Sequence, residues 1–294
     1  MKRPKHATRL RFALLATCLT GAVMLGGDVR AEDHEIRLIV RADDIGSSHA
    51  ANVGCIRSYR QGIARSVEVM VPCPWFNEAV KMLKENPGLD VGVHLTLTAE
   101  WEMVKWGPIT HAPSLADRQG NFFPMTSQRK DFPPNTGFVN AEPKLPEVEK
   151  ELRAQIELAV ERIPQVSHLS CHMGTATATP ELRALVERLS AEYKLPVRVE
   201  GAKRAGGFGG SKTTPEEKID TLVKILEDLQ PGLWVFVEHP GMDTPEMRAI
   251  GHRGYEHVAA DRDGVTKAFT SEAVKRVIAR RGIKLISYAD AYGE

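Results

Sequence analysis

Cysteine is scarce in this chain: four in 294 residues, with no Cys-x-x-Cys pair. One of them, Cys18, lies in the N-terminal segment, which leaves Cys55, Cys73 and Cys171 beyond it. An odd number with no paired spacing gives no disulfide framework and no thiolate zinc site, so these residues read as small buried side chains. An excess of either charge is also missing. Lysine plus arginine number 39 against 38 acidic residues, a formal net charge of +1. No electrostatic argument then favours nucleic acid or an anionic membrane surface. No Gly-x-Ser-x-Gly elbow is present, and no serine or cysteine stands out as an activated nucleophile. The glycine-rich stretch 205–211 has neither Walker spacing nor Gly-x-Gly-x-x-Gly after a strand, so it reads as a flexible loop. Repeats and low-complexity segments are absent too.

The apolar run at residues 12–27 spans about 16 residues, short of the ~20 a membrane span needs. It follows Lys2, Arg3, Lys5, Arg9 and Arg11 and precedes Val29-Arg30-Ala31. A basic region, an apolar region and small residues at a cleavage position make a secretory signal peptide, with cleavage expected after Ala31. Residues 1–31 are therefore set apart, and the folded domain is expected over residues 32–294, periplasmic or secreted and free of the membrane once cleaved.

From residue 35 the chain alternates strand-like and helix-like segments. Strands are expected at 37–42, 66–71, 90–97, 166–173, 197–200, 233–238 and 284–288. Helices are expected at 52–61, 76–85, 145–162, 180–193, 214–229 and 271–281. Seven such units with no composition break predict one α/β domain with parallel strands. The long irregular stretch 98–143 carries Trp101, Trp106, Phe122 and Phe123. Loops of this length are functional or disordered, and its aromatic content predicts an ordered insert over a substrate, with Trp101 or Trp106 offering a stacking face.

The chemistry sits at strand ends. The first strand runs out into Asp43-Asp44-Ile45-Gly46, two adjacent carboxylates that repel unless a cation or proton joins them. His94 ends the third strand, His172 the fourth and His239 the sixth, the last followed by Pro240, which stops the strand. His168 and Ser170 share the face of His172 by period two, and His168, deeper in the strand, reads as structural. An open sheet would spread these ends along a line, whereas a barrel gathers them around one mouth, where active sites of parallel barrels are built. The expected fold is a modified (β/α) barrel of about seven parallel strands. One carboxylate and two imidazoles leave open positions on a divalent metal, which is a catalytic arrangement. Such a metal acidifies a water and polarises a carbonyl. The second carboxylate would then take a proton, and the remaining histidine would protonate a leaving amine.

These motifs occur in order: Ala42-Asp43-Asp44 within 38–46, Gly-Ile-Ala-Arg-Ser-Val-Glu-Val-Met-Val at 62–71, Asn-Pro-Gly-Leu-Asp-Val-Gly-Val-His-Leu-Thr-Leu-Thr at 86–98, Pro-Ser-Leu-Ala-Asp-Arg-Gln-Gly-Asn-Phe-Phe-Pro at 113–124, the segment 167–172, and His239-Pro240-Gly241. Together they resemble the YdjC-like, or ChbG/HpnK, carbohydrate deacetylase family over nearly all of residues 32–294. The resemblance implies a metal-dependent hydrolase that removes N-acetyl groups from amino sugars or oligosaccharides. It implies one divalent ion, magnesium or zinc, on Asp44, His94 and His172. Asp43 becomes the general base, His239 the general acid, and Arg262 a substrate-binding residue near the mouth. The partner implied is an acetylated sugar, and a homodimer is allowed. Two positions depart from the family pattern: Ser170 stands where relatives carry aspartate, and Gly174 where they carry histidine. These departures keep a catalytically inactive carbohydrate-binding barrel in view. The same ligand types also suit a 2-His-1-carboxylate iron(II) oxygenase.

Overall fold

A computed structural model describes residues 34–293. Segment 1–31, expected to be a signal peptide, lies outside the described residues. The seven strands are β1 (Ile36–Ile45), β2 (Ser66–Val69), β3 (Asp90–Leu95), β4 (Val166–Cys171), β5 (Lys203–Arg204), β6 (Gly232–Glu238) and β7 (Lys284–Ile286). All pair in parallel, in the order β4-β3-β2-β1-β6-β5, with β7 also on β1. β1 is therefore central. β6 covers one of its edges from Ile36 to Ala42, while its other edge is shared, β7 pairing with Arg37–Ile39 and β2 from Arg41 onward. The sheet is a half-barrel with helices packed around it, in accord with the single α/β domain expected from the sequence.

β1 is apolar on both faces, with Leu38, Ile39, Val40 and Ala42 all buried, the pattern of a parallel strand covered on both sides. The helices are α1 (His49–Arg60), α2 (Phe76–Lys84), α3 (Leu145–Arg162), α4 (Pro180–Tyr193), α5 (Pro215–Asp228), α6 (Pro245–Arg248), α7 (Val258–Thr270), α8 (Glu272–Arg281) and α9 (Tyr288–Tyr292). α3 and α4 match the expected bounds because apolar spacing and an early proline agree in each. α3 buries Val148, Leu152, Ile156 and Ala159 at helical spacing, and each helix has proline in its first turn. α5 starts at a capping box, Thr214 with Glu217, and α8 stops at Gly282 in the left-handed region.

Two expectations are corrected. Residues 197–200 do not form a strand; the fifth strand is Lys203–Arg204, on Trp234 and Val235 of β6. Pro196 makes one backbone contact with β4, accepting from Leu169 N–H, but has no N–H of its own to extend a ladder. Gly201, at φ +73°, then turns the chain toward β6. The second correction is α7, which the sequence pattern did not reveal. It buries Arg262 and Thr266 along with Val265 and Phe269, and contains Gly264, so neither its polarity nor its propensity reads as helical. Gly264 faces Lys218 of α5 closely, and a Cβ there would come within 3.0 Å of its Cε.

The insert 98–143 is ordered, as expected. It buries Trp106, Leu115, Phe122 and Phe138, each contributing roughly 1.5–3 kcal/mol relative to exposure. α3 holds it by its carboxylates: Glu151 accepts from Ile109 and Thr110 N–H, and Glu147 from Ser114 N–H.

The loop after β6 is fixed by close packing. A Cβ on Gly54 of α1 would lie 2.5 Å from Gly241 Cα, closer than carbon atoms can approach. Gly54→Ala should therefore destabilise the fold by about 1–3 kcal/mol, despite the better helix propensity of alanine. The measurement is the urea midpoint at unchanged slope; an unshifted midpoint would contradict the packing argument.

Candidate metal centre

The last turn of β1 places both carboxylates on one side. Its register with β2 slips by one residue between Ala42 and Ile45, and Asp44 has φ +74°. Alternation would have sent adjacent side chains to opposite faces; the bulge and the left-handed residue cancel it. This conformation costs a non-glycine residue of order 1–3 kcal/mol and persists only where surroundings hold it. Here they do: Ser47 N–H and Oγ–H both donate to Asp44 O, and Gly46 N–H donates to Asn52 Oδ1 at 2.6 Å.

Strand order predicts that β1 and β4, three steps apart, would be separated by about 14 Å in a flat sheet. Curvature closes that gap at the strand ends. Asp44 Oδ1 lies 3.4 Å from His172 Nδ1 and 3.7 Å from His94 Nε2. The three ligand atoms all lie within 4.8 Å of one another, on buried residues, and this group can hold a metal ion. The two imidazole rings meet edge to face, with centroids 5.3 Å apart. Asp44 Oδ1 is buried and has no hydrogen-bond partner, whereas its Oδ2 accepts from Arg262 Nη2 at 2.7 Å. A buried carboxylate oxygen with no hydrogen-bond partner, facing two imidazole nitrogens, fits a cation.

Each ligand is braced from behind. His172 Nε2 meets Glu100 Oε2 at 2.9 Å, and His94 Nδ1 meets Ser170 Oγ at 2.7 Å. Such contacts fix which ring nitrogen is left for a ligand. Asp43 is gripped by Arg41, whose Nε and Nη2 donate to its two oxygens at 2.7 and 2.8 Å, while its Oδ2 stays 3.8 Å from His94 Nε2. His239 follows β6 and is part-exposed; its Nδ1 lies 3.9 Å from Glu238 Oε2. Arg262, expected at the mouth, is instead buried on α7 beneath Asp44. Its guanidinium also lies over the Trp101 ring, 5.2 Å from the centroid.

The stacking face expected of Trp101 or Trp106 is not available. Trp101 is buried, with Arg262 over its ring and His252 stacked on it at 5.6 Å, and Trp106 is buried with its Nε1–H on Thr98 O. Both indoles serve the insert's packing.

Charges follow this geometry. Burial would raise the Asp44 carboxyl, but the Arg262 guanidinium, aided by His239 and His172, holds it well below the usual carboxylate range. Burial lowers His94, and neighbouring His172 lowers it further, to about 3, so it is a neutral ligand-competent imidazole. His172 is also buried, yet Glu100 and Asp44 outweigh that and push it up to about 10. Burial opposes a charge on His239, and Asp44 overrides it, raising its pKa.

Sequence reasoning missed Glu68, Glu100 and Arg41. Glu68 left a signal, a lone carboxylate in the apolar strand Ser66-Val67-Glu68-Val69, and it is fully buried. Glu100 lies in irregular chain and left none.

Arg262→Met should cost about 3–5 kcal/mol at neutral pH, since it leaves a buried carboxylate unpaired. The folded pKa of Asp44 lies below its unfolded value of ~3.9, so the pair stabilises above that pH, and its contribution fades as pH falls through the depressed folded value. Denaturant unfolding at pH 7 and near pH 3 should show the gap between wild type and variant narrowing in acid; a gap independent of pH would contradict the pairing.

A family model described as YdjC-like protein matches residues 37–280. A carbohydrate deacetylase from Brevibacillus brevis is 28% identical over 276 residues, covering 87% of this chain and 99% of its own. Carbohydrate deacetylase 1 of Listeria innocua is 32% identical over 268 residues, covering 87% and 100%. Among solved structures, an Enterococcus faecalis protein crystallised as a candidate cellobiose-phosphate cleavage protein superposes with a TM-score of 0.69 at 24% identity. It covers 87% of this chain and 98% of its own, and shows that the fold is shared. On the extent of these matches, the chain belongs to the YdjC-like protein family.

Proposed function

We propose that this protein is a metal-dependent carbohydrate deacetylase, hydrolysing the N-acetyl group of an amino sugar or oligosaccharide. The observation that carries the reading is the unpartnered Asp44 Oδ1 set between His94 Nε2 and His172 Nδ1. The relatives named carbohydrate deacetylases support the reaction class. Asp44, His94 and His172 would hold the ion, and two imidazole donors favour zinc over magnesium. When bound, a divalent ion there polarises an amide carbonyl and makes a water more acidic.

The remaining groups divide the proton work. Asp43 accepts a proton from the attacking water. Its orientation is set by the two-pronged Arg41 contact, which leaves Oδ2 turned toward His94. His239, part-exposed and with its pKa raised by Asp44 against burial, donates to the departing amine. Positioned acid and base groups of this kind contribute typically ~10²–10⁴-fold each. The N-terminal sequence supports export, so the substrate would be an envelope or extracellular glycan. Among the described residues no helix is long and apolar enough to cross a membrane.

Acetate release from a panel of N-acetylated oligosaccharides, measured beside metal content, tests this assignment. Asp43→Asn should lower release by at least about 10²-fold with the metal retained, and Asp44→Asn should lose the metal. The reverse pattern would exchange the two roles. Chelated protein should regain activity with zinc or magnesium in the absence of oxygen; a requirement for oxygen would favour the iron(II) oxygenase alternative, and sugar binding without acetate release would favour the inactive barrel.

Metal uptake should also depend on pH. His172 titrates at about 10 in the metal-free protein, so below that pH the ion must displace a proton. Affinity should rise with pH, by up to about tenfold per unit, with proton release visible as a buffer-dependent heat in titration calorimetry. A flat affinity between pH 6 and 8 would contradict the protonated state of His172.

A further inference from the structure

The lower wall of the site contains a buried carboxylate for which the reaction has no direct use. Glu68 of β2 is fully buried, on the strand between those that carry Asp44 and His94. Its Oε2 accepts a very short hydrogen bond from Ser170 Oγ. Its Oε1 meets His168 Nε2 at 2.8 Å and lies 3.8 Å from Arg41 Nε. Ser170 Oγ in turn is 2.7 Å from His94 Nδ1.

We propose that Glu68 is the positioning carboxylate of His94, acting through the Ser170 hydroxyl. The proposal rests on the metal-site reading above. It follows from counting protons. A serine hydroxyl has one, and an ionised carboxylate can only accept, so the Ser170 proton is committed to Glu68. Ser170 Oγ can then only accept from the imidazole, which places a hydrogen on His94 Nδ1. The Nε2 lone pair is left facing Asp44 Oδ1, 3.7 Å away. Glu68 thus selects the tautomer in which His94 can serve as a ligand, from two hydrogen bonds away.

The surroundings are built for this carboxylate. A Cβ on Gly92 of β3 would collide with Glu68 Oε2 and with His168 Nε2, so glycine at that position keeps the space open. His168 is itself held, its Nδ1 2.8 Å from Ser167 Oγ and its ring stacked on Tyr288 at 4.2 Å. Burial alone would raise the Glu68 carboxyl; His168 and Arg41 hold it below its ordinary value, so it remains an acceptor. The short side chain at 170 is what allows a carboxylate on the neighbouring strand to reach the histidine.

Two readouts test the relay. The first is zinc affinity, by competition with a chromophoric chelator, for full-length mature protein carrying Glu68→Gln, Ser170→Ala, both changes, or Ser170→Thr. Loss of an outer contact to a ligand histidine costs about 10–100-fold in metal affinity. Glu68→Gln and Ser170→Ala should each weaken zinc at least about tenfold, the double variant should be no weaker than the worse single one, and Ser170→Thr, which keeps the hydroxyl, should recover most of the loss. Single losses below twofold, or losses that multiply in the double variant, would overturn it. The second readout needs no metal: nitrogen NMR of histidine-labelled protein should find His94 protonated at Nδ1 in the wild type and redistributed between tautomers in Ser170→Ala. A wild-type His94 protonated at Nε2 would overturn the relay outright. If wild-type protein takes up no zinc, the metal reading fails, and the tautomer measurement still decides the relay.

Discussion

The site depends on one backbone constraint, the bulge at the end of β1 that holds Asp44 in the left-handed region. A regular strand would point Asp43 and Asp44 to opposite faces. With the bulge, one carboxylate meets the two histidines and the other stands beside them on Arg41. The strain is local, and the restraints on it are local too: two donors from Ser47 hold the Asp44 carbonyl, and Arg262 holds its side chain. The rest of the half-barrel serves to bring β3 and β4 around to this point.

The centre is electrostatically heterogeneous by design of its neighbours. Four acidic groups, Asp43, Asp44, Glu68 and Glu100, are buried around two ligand imidazoles, and each has a cation or an imidazole as partner. The result is that His94 and His172, with their rings 5.3 Å apart, are driven in opposite directions, one to about 3 and the other to about 10. Burial disfavours a charge on either ring and repulsion between two imidazolium ions disfavours a second, while the placement of Glu100 decides that His172 is the one raised. An ion bound at the site takes the place of that proton.

Much of this was legible in the sequence, for reasons particular to each residue. The strand ends with Asp43-Asp44, His94, His172 and His239 could be read because parallel strands put all their C-terminal ends on one side. α3 and α4 could be bounded because prolines and apolar spacing agreed, with Thr179 capping α4. What was hidden has a common cause: its residue types contradict its environment. α7 buries an arginine and contains a glycine, so its helical period was masked. The face of Trp101 looked free for a sugar because sequence does not show that Arg262 and His252 cover it. Ser170 looked like a loss of support for the site because the compensating carboxylate, Glu68, lies a hundred residues earlier and reaches it only through strand pairing two positions away in the sheet.

The most direct test of the central claim is the location of the ion itself. Crystals of the mature protein grown with zinc should show an anomalous peak at the zinc edge bounded by Asp44 Oδ1, His94 Nε2 and His172 Nδ1, with zinc–nitrogen distances of about 2.0–2.1 Å. Zinc found only elsewhere on the protein, or an empty centre with the three side chains still gathered, would contradict it.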